Sequence, residues 1–310
     1  MLKSGAMEPA ASTTSPARSQ PRRPRLLRLL RSLALVYAVW CLALFLLQSR
    51  MLYLPALAGV PMSEAAVDAV PGLERLWIAQ SDSTSSDRTE AWLLRAGDPN
   101  GSGEPRTLVC FTHGNAELID QCLAEARAWR DRGFHVLLPE YRGYGRSAGS
   151  PSQDDIVRDV DRAVEIALER TGARSIVFHG RSLGTGVAVQ VAARHRQRAR
   201  AIVLESPFTS VTSFAWRYGI PPLLVTNPYR TDELLPTFAC PVLILHAQRD
   251  EIVPFAHGEA LAAMQPLATL MPLDGSHNSG LSSTTAYWSA IDEMLAKVGG
   301  ETPAASLRPR

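Results

Sequence analysis

Ser182 stands between Gly180 and Gly184 in the stretch HGRSLGTGVAVQVAA (179–193), after an apolar run and before a run of small residues. A serine hydroxyl becomes an effective nucleophile when a neighbouring base takes its proton. It must also protrude toward a substrate, and a tight strand-to-helix turn achieves this. In such a turn the two elements approach so closely that only glycine fits on either side of the serine, which is the logic of G-x-S-x-G. The bare pattern is weak, but its context is met: SIVFH precedes it as a buried strand and LGTGVAVQVAA follows as a helix. The N-terminus of that helix puts partial positive charge where an oxyanion would form. The competing interpretation is a glycine-rich turn with a structural serine.

A nucleophile needs partners. In proteins with such an elbow the chain order is serine, acid, histidine. Four of the seven histidines follow Ser182: His195, His246, His257 and His277. His195 sits in RHRQR at the far end of the elbow helix, His246 ends a strand, and His257 falls early in a helix. His277 lies in DGSHNSG, a loop after the last strand, from which it can swing over the sheet edge; it is the expected base. Asp250, in HAQRDEIVP just after VLILH, is the expected acid, holding the imidazole tautomer and stabilising the imidazolium. Glu251, Glu205 and Asp274 compete: Glu251 is expected to be solvated, Glu205 to cap a loop and Asp274 to stabilise the His277 loop. Two backbone N–H groups should receive the oxyanion, those of Leu183, after the nucleophile, and Asn115, in HGNA (113–116), where Gly114 permits a bend. No ligand cluster has metal-site spacing. None of Cys41, Cys110, Cys122 and Cys240 forms a C-x-x-C pair, so all four are expected to be unpaired buried thiols. Neither cofactor nor metal is expected.

These residues need a scaffold. LERLWIAQ (73–80) and TEAWLLRA (89–96) are expected strands joined by the polar turn SDSTSSDR and followed by the loop DPNGSGEP. TLVCFTHG (107–114), SIVFHG, AIVLES, VLILHA and LATLMPL supply further apolar strands, and FHVLLPEYRGYG (134–145) is another, running into a Gly-rich loop. Helices are expected over 117–132, from Pro151 and Ser152 to Gly172, and over 183–195, 255–265 and 284–297. Apolar strands alternating with helices imply a mainly parallel sheet covered on both faces, with the first hairpin adding antiparallel strands at an edge. The connection 206–241 is longer than a linker but too short for a cap domain. It is aromatic (Phe208, Phe214, Trp216, Tyr218, Tyr229), fitting either an apolar rim for an acyl chain or ordinary packing on the sheet edge.

The net charge of +2 does not argue for nucleic acid. It is unevenly spread: residues 1–31 hold seven Lys or Arg and one acid, Glu8, a net +6 that leaves −4 for the remainder. Residues 1–25 are expected to be a disordered basic N-terminus. Residues 26–49 are expected to be a transmembrane signal anchor, because Ser32 to Ser49 carries no charge and spans about 27 Å at ~1.5 Å per residue. A cleaved signal peptide, with Ala56-Leu57-Ala58 as the A-x-A site, and a buried helix are the alternatives. The preceding arginines predict a cytoplasmic N-terminus, placing the body in the periplasm, the cell exterior or a lumen. Residues 50–298 form the expected folded domain and 299–310 a flexible tail.

HGNA, PEYRGYGRSAGSPS (139–152), GRSLGTGVA (180–188), ESPFTS (205–210), CPVLILHAQRDEIVP (240–254) and GSHN (275–278) occur in order, and QSRMLYLP follows the apolar run. With these motifs the chain resembles a membrane-anchored α/β-hydrolase of the serine aminopeptidase-like group. The resemblance covers roughly residues 50–298. It implies an α/β-hydrolase fold with Ser182, Asp250 and His277 as the triad and a small cap insertion after Glu205. Ala247 replaces a frequent glycine, and Ser279 stands where an acid is frequent, neither touching the triad. The implied function is a serine hydrolase acting on carboxylic esters or thioesters of small-molecule or acylated substrates. An amidase or peptidase on the same scaffold, or a non-catalytic binding protein of this fold, are the alternatives.

Overall fold

The computed structural model describes residues 23–80, 87–97 and 107–298, with side chains from Leu26 onward. The expectations for residues 1–22, the tail 299–310, most of the SDSTSSDR turn and the whole DPNGSGEP loop lie outside the described residues.

The chain divides into two compact units, Met1–Leu44 and Phe45–Arg310. The described part of the first is helical. It belongs to α1 (Arg23–Leu52), a continuous helix about 45 Å long at ~1.5 Å per residue. The helix outruns the uncharged stretch at both ends. Leu33, Leu35, Val36, Trp40 and Leu42 are about half exposed or more. By length and composition the helix can cross a membrane, with a mean hydropathy of 2.1 over an 18-residue window.

In the second unit eight described strands form one sheet: β1 (Leu73–Ala79), β2 (Arg88–Leu94), β3 (Thr107–Thr112), β4 (His135–Pro139), β5 (Ser175–Arg181), β6 (Ala199–Glu205), β7 (Val242–Ala247) and β8 (Ala268–Leu273). Their order is β1-β2-β4-β3-β5-β6-β7-β8. β1 pairs with β2, and β2 with β4, in antiparallel fashion. From β4 to β8 the pairing is parallel. The helices in this unit are α2 (Glu64–Asp68), α3 (Leu123–Arg130), α4 (Gln153–Thr171), α5 (Leu183–Arg194), α6 (Thr231–Leu234), α7 (Ala256–Met264) and α8 (Thr285–Val298).

Successive strand residues point to opposite faces, so each apolar strand serves two cores. Leu108, Ile176, Phe178, Ile202, Leu204 and Ile244 meet α4, α5 and α7 on one face. Val109, Val177, Val203, Leu243 and Leu245 meet α3 and α8 on the other, where Trp129 and Tyr287 are fully buried. This double burial explains why the central strands read as unbroken apolar runs. α4 is stopped at both ends by local chemistry. Ser152 Oγ accepts the N–H of Asp155, and Gly172 closes the helix at φ 68°. The helix expected over 117–132 is shorter: a 3-10 turn at Ile119–Cys122 precedes α3. Asp120 instead turns its carboxylate to Arg146 and to the N–H of Met62. The apolar strand that begins FHVLLPEYRGYG ends at Pro139 and runs into the glycine-containing loop, where Glu140 leaves the sheet to serve a buried polar cluster.

Candidate active site

The elbow forms where β5 passes into α5. Ser182 adopts φ 49°, ψ −117°, a conformation that non-glycine residues rarely hold and that costs about 1–3 kcal/mol. Its N–H is fixed to Glu205 O at 2.8 Å, which ties the turn to the end of β6. The flanking glycines are required by contact. A Cβ on Gly184 would lie 2.5 Å from His113 O, and one on Gly180 would lie 2.6 Å from Thr185 Cα.

His277 reaches this serine from the loop after β8, its Nε2 3.0 Å from Ser182 Oγ. Its Nδ1 lies 2.7 Å from Asp250 Oδ2. The other carboxylate oxygen of Asp250 accepts the N–H groups of Ile252 (3.0 Å) and Val253 (2.7 Å). Burial disfavours the Asp250 carboxylate, but hydrogen bonds from His246 and His277 and from Val253 N–H outweigh it and hold the carboxyl well below its ordinary range. An ionised Asp250 accepts the hydrogen bond of Nδ1–H, leaving the Nε2 lone pair toward the serine hydroxyl. Glu251 is exposed, as expected, and also accepts the N–H of His277 at 3.2 Å. Asp274 pairs with Arg249 rather than bonding within the His277 loop; Arg249 N–H in turn holds Gly275 O.

The remaining histidines are engaged elsewhere. His195 binds Asp161 at 2.8 Å, and His257 contacts the Thr209 hydroxyl at 3.0 Å and stacks on Phe214. Buried His246 donates from Nε2 to Val253 O at 2.9 Å and approaches Asp250 at 3.5 Å, bracing the acid from behind.

Leu183 is the first residue of α5, so its N–H has no carbonyl one turn earlier in the helix. Among the described residues no backbone carbonyl accepts the N–H of Asn115 either. A Cβ on the neighbouring Gly114 would sit 3.7 Å from Ser182 Cβ, so the 113–115 turn borders the serine. The Asn115 side chain turns away to fasten the chain at the end of α1. Its Nδ2 donates to Leu52 O at 2.6 Å, and its Oδ1 accepts from Leu54 N–H and Tyr144 O–H.

Sequence reasoning missed the polar network beneath the elbow. Arg181 donates to Glu117 at 2.7 Å, to Glu205 at 3.1 Å, to Ser282 and to Glu125. Glu117 in turn accepts the N–H of Gly114 at 2.7 Å. Glu205 also takes the hydroxyl of Tyr287 (2.8 Å), which accepts from His179 Nε2, while His179 Nδ1 accepts from the Trp129 indole at 3.0 Å. Burial, reinforced by Arg181, keeps His179 well below its ordinary pKa, so it is neutral. Nearby, burial opposes charge on His113, but Glu140 at 2.7 Å prevails and raises its pKa. Only the clustering of Arg181 and Glu205 within two expected motifs hinted at this network. Among the described residues, no group of three or more His, Cys, Asp or Glu is arranged to hold a metal ion. All four cysteines are buried and unpaired, and burial pushes the Cys240 thiol up to about 11.

The eight-stranded, mostly parallel sheet and a serine elbow met by a histidine, itself held by an aspartate, define the scaffold of a serine hydrolase. The family model for serine aminopeptidase, S33, matches residues 103–226. The chain has the α/β-hydrolase fold and is similar to the serine aminopeptidase-like group over the matched residues. It is 29% identical to the alpha/beta hydrolase domain-containing protein WAV2 of Arabidopsis thaliana over 82% of this chain and 89% of that protein. It is 34% identical to the lysophosphatidylserine lipase ABHD12 of Danio rerio over 50% of this chain and 46% of the lipase. The chain thus spans about half the length of the lipase relatives it matches. Among solved structures, ferulic acid-bound Est1E of Butyrivibrio proteoclasticus shares the fold with a TM-score of 0.60 at 20% identity, covering 72% of this chain and 99% of that one.

Proposed function

We propose that this chain is a serine hydrolase that cleaves carboxylic esters or thioesters, with Ser182 as nucleophile, His277 as base and Asp250 as acid. The observation that carries this reading is the 3.0 Å approach of His277 Nε2 to Ser182 Oγ, with Asp250 2.7 Å behind the ring. Ser182 Oγ attacks the acyl carbon as its proton passes to His277 Nε2. Asp250 stabilises the resulting imidazolium. The oxyanion accepts from the N–H groups of Leu183 and Asn115. Collapse expels the alcohol or thiol with the proton from His277, leaving an acyl group on Ser182 Oγ. Water, deprotonated by His277, then attacks the acyl carbon and releases the acid.

Two supports bear on the substrate. The lysophosphatidylserine lipase relatives favour a lipid ester, and the apolar α1 favours action at a membrane. In this reading α1 anchors the chain with a cytoplasmic N-terminus, the arginines before the apolar run staying on that side and the body on the far side. A fluorophosphonate probe tests the chemistry: wild type is labelled and Ser182→Ala is not. An unlabelled wild type beside a labelled control hydrolase overturns it. Turnover of p-nitrophenyl esters of rising chain length tests the lipid reading, which a sharp preference for acetate removes.

A further inference from the structure

We propose that the connection after β6 forms a second membrane contact, seating Trp216, Tyr218 and Leu223 on a phospholipid leaflet beside the end of α1. This rests on the reading of α1 as a membrane anchor.

Both ends of the connection are packed into the body. It starts at Ser206, next to the residue whose carbonyl holds the N–H of Ser182. Phe208 and Tyr229 are buried against Gly186, where a Cβ would lie 2.8 Å from Tyr229 Cδ1 and 3.0 Å from Phe208 Cζ. The middle is different. It consists of two 3-10 stretches, Val211–Tyr218 and Pro222–Leu224, on which Trp216 is 70%, Tyr218 50% and Leu223 84% exposed. Three large apolar side chains held in water on a short ordered segment are a marker of an interaction surface.

The last turns of α1 indicate the partner. Gln48 Nε2 donates to Leu224 O at 3.1 Å, and Thr226 N–H donates to Gln48 Oε1 at 2.8 Å. Asn227 Nδ2 reaches Ser49 Oγ, and Tyr53 O–H reaches Asn227 Oδ1. Gln48 and Ser49 are the final residues of the uncharged run that begins at Ser32. The connection is therefore bonded to the helix at the level where its apolar stretch stops. That is the depth of the polar–apolar boundary of a bilayer, where tryptophan and tyrosine are enriched. Arg217, between Trp216 and Tyr218, is exposed and can extend its charge to the headgroups. Leu57 and Val60, just past the helix end, are also exposed and extend the apolar surface. Because the connection begins at the nucleophile's edge and is fastened to the helix end, the contact would set the site's mouth at the leaflet from which a lipid ester is drawn.

The full chain is reconstituted in phosphatidylcholine vesicles with or without bromine atoms on the acyl chains, which quench nearby tryptophans. Subtracting the emission of Trp216→Phe from wild type isolates Trp216, and Trp40→Phe isolates a tryptophan within the apolar run. Unchanged turnover of a soluble short-chain ester verifies the fold of each variant. The expected result is that brominated lipid removes most of the Trp216 emission as well as that of Trp40. Unquenched Trp216 with quenched Trp40 overturns the proposal and leaves the anchor standing. Quenched Trp216 with unquenched Trp40 supports the lipid contact and removes the anchor, and no quenching of either removes both.

Discussion

Arg181 separates Gly180 from Ser182, and its guanidinium is wrapped by Glu117, Glu125 and Glu205. Replacing it with methionine leaves these partly buried carboxylates without their cation, so Arg181→Met should cost roughly 3–5 kcal/mol of stability. Where the variant folds, Glu117 loosens its hold on Gly114 N–H, and kcat should fall more than KM rises; an unchanged kcat would assign Arg181 to the scaffold alone. At Ser182, alanine should remove about 10⁴–10⁶-fold of turnover, as loss of an activated nucleophile does. Asn115→Ala should behave differently. Its backbone N–H survives, so turnover falls far less, but bonds to Leu52, Leu54 and Tyr144 disappear. Buried groups left unpaired cost about 1–3 kcal/mol, so its melting midpoint drops. Equal turnover losses in the two variants would remove Asn115 from the oxyanion role.

At the scale of elements, two helix-boundary glycines should both lose stability on substitution but differ in turnover. Gly184→Ala forces a methyl group against the backbone of Thr112 and His113, where the neighbouring strand cannot yield without moving the 113–115 turn. Overpacking of this kind costs about 1–3 kcal/mol, and here it displaces an expected oxyanion donor, so stability and turnover should fall together. Gly172 caps α4 at φ 68°, and an alanine methyl there would meet no neighbouring atom within 4 Å. Gly172→Ala should therefore cost about 1 kcal/mol of backbone strain and leave turnover intact. Thermal unfolding and steady-state turnover of both variants separate the cases. The boundaries of α4 were legible in the sequence because Ser152 and Gly172 act locally. The shortened α3 was not, because Asp120 is claimed by Arg146, distant in sequence.

For the whole molecule, buried histidines make stability depend on pH in a definite sense. His179 stays neutral when folded but takes a proton near pH ~6.5 when unfolded, so its contribution is lost as pH falls below that value. His113 has the opposite sign: its raised pKa adds stability at low pH that is lost as pH rises through its folded value. The Asp250 carboxylate, depressed when folded, adds stability above the unfolded value of ~3.9 that is lost as pH falls further. Unfolding midpoints of wild type should therefore decline on the acid side of about pH 6.5 and more steeply below about pH 4. In His179→Gln the first decline should flatten; an unaltered acid limb would assign that decline to other groups.

The residues by themselves determined the order of strands and helices, the elbow at Ser182, and His277 as the residue to meet it with Asp250 behind the ring. These follow from local rules: alternation along strands, glycine where backbones touch, and loops at the carboxyl ends of strands. Tertiary structure alone decided that Arg181, Glu117, Glu205, His179 and Tyr287 form one network under the elbow. It also decided that Asn115 holds the segment after α1, and that Trp216, Tyr218 and Leu223 stay exposed while Phe208 and Tyr229 are buried. The reason is physical. A hydrogen bond between residues far apart in the chain leaves no periodicity in the sequence, and the burial of an aromatic side chain depends on neighbours that only the closed sheet brings to it.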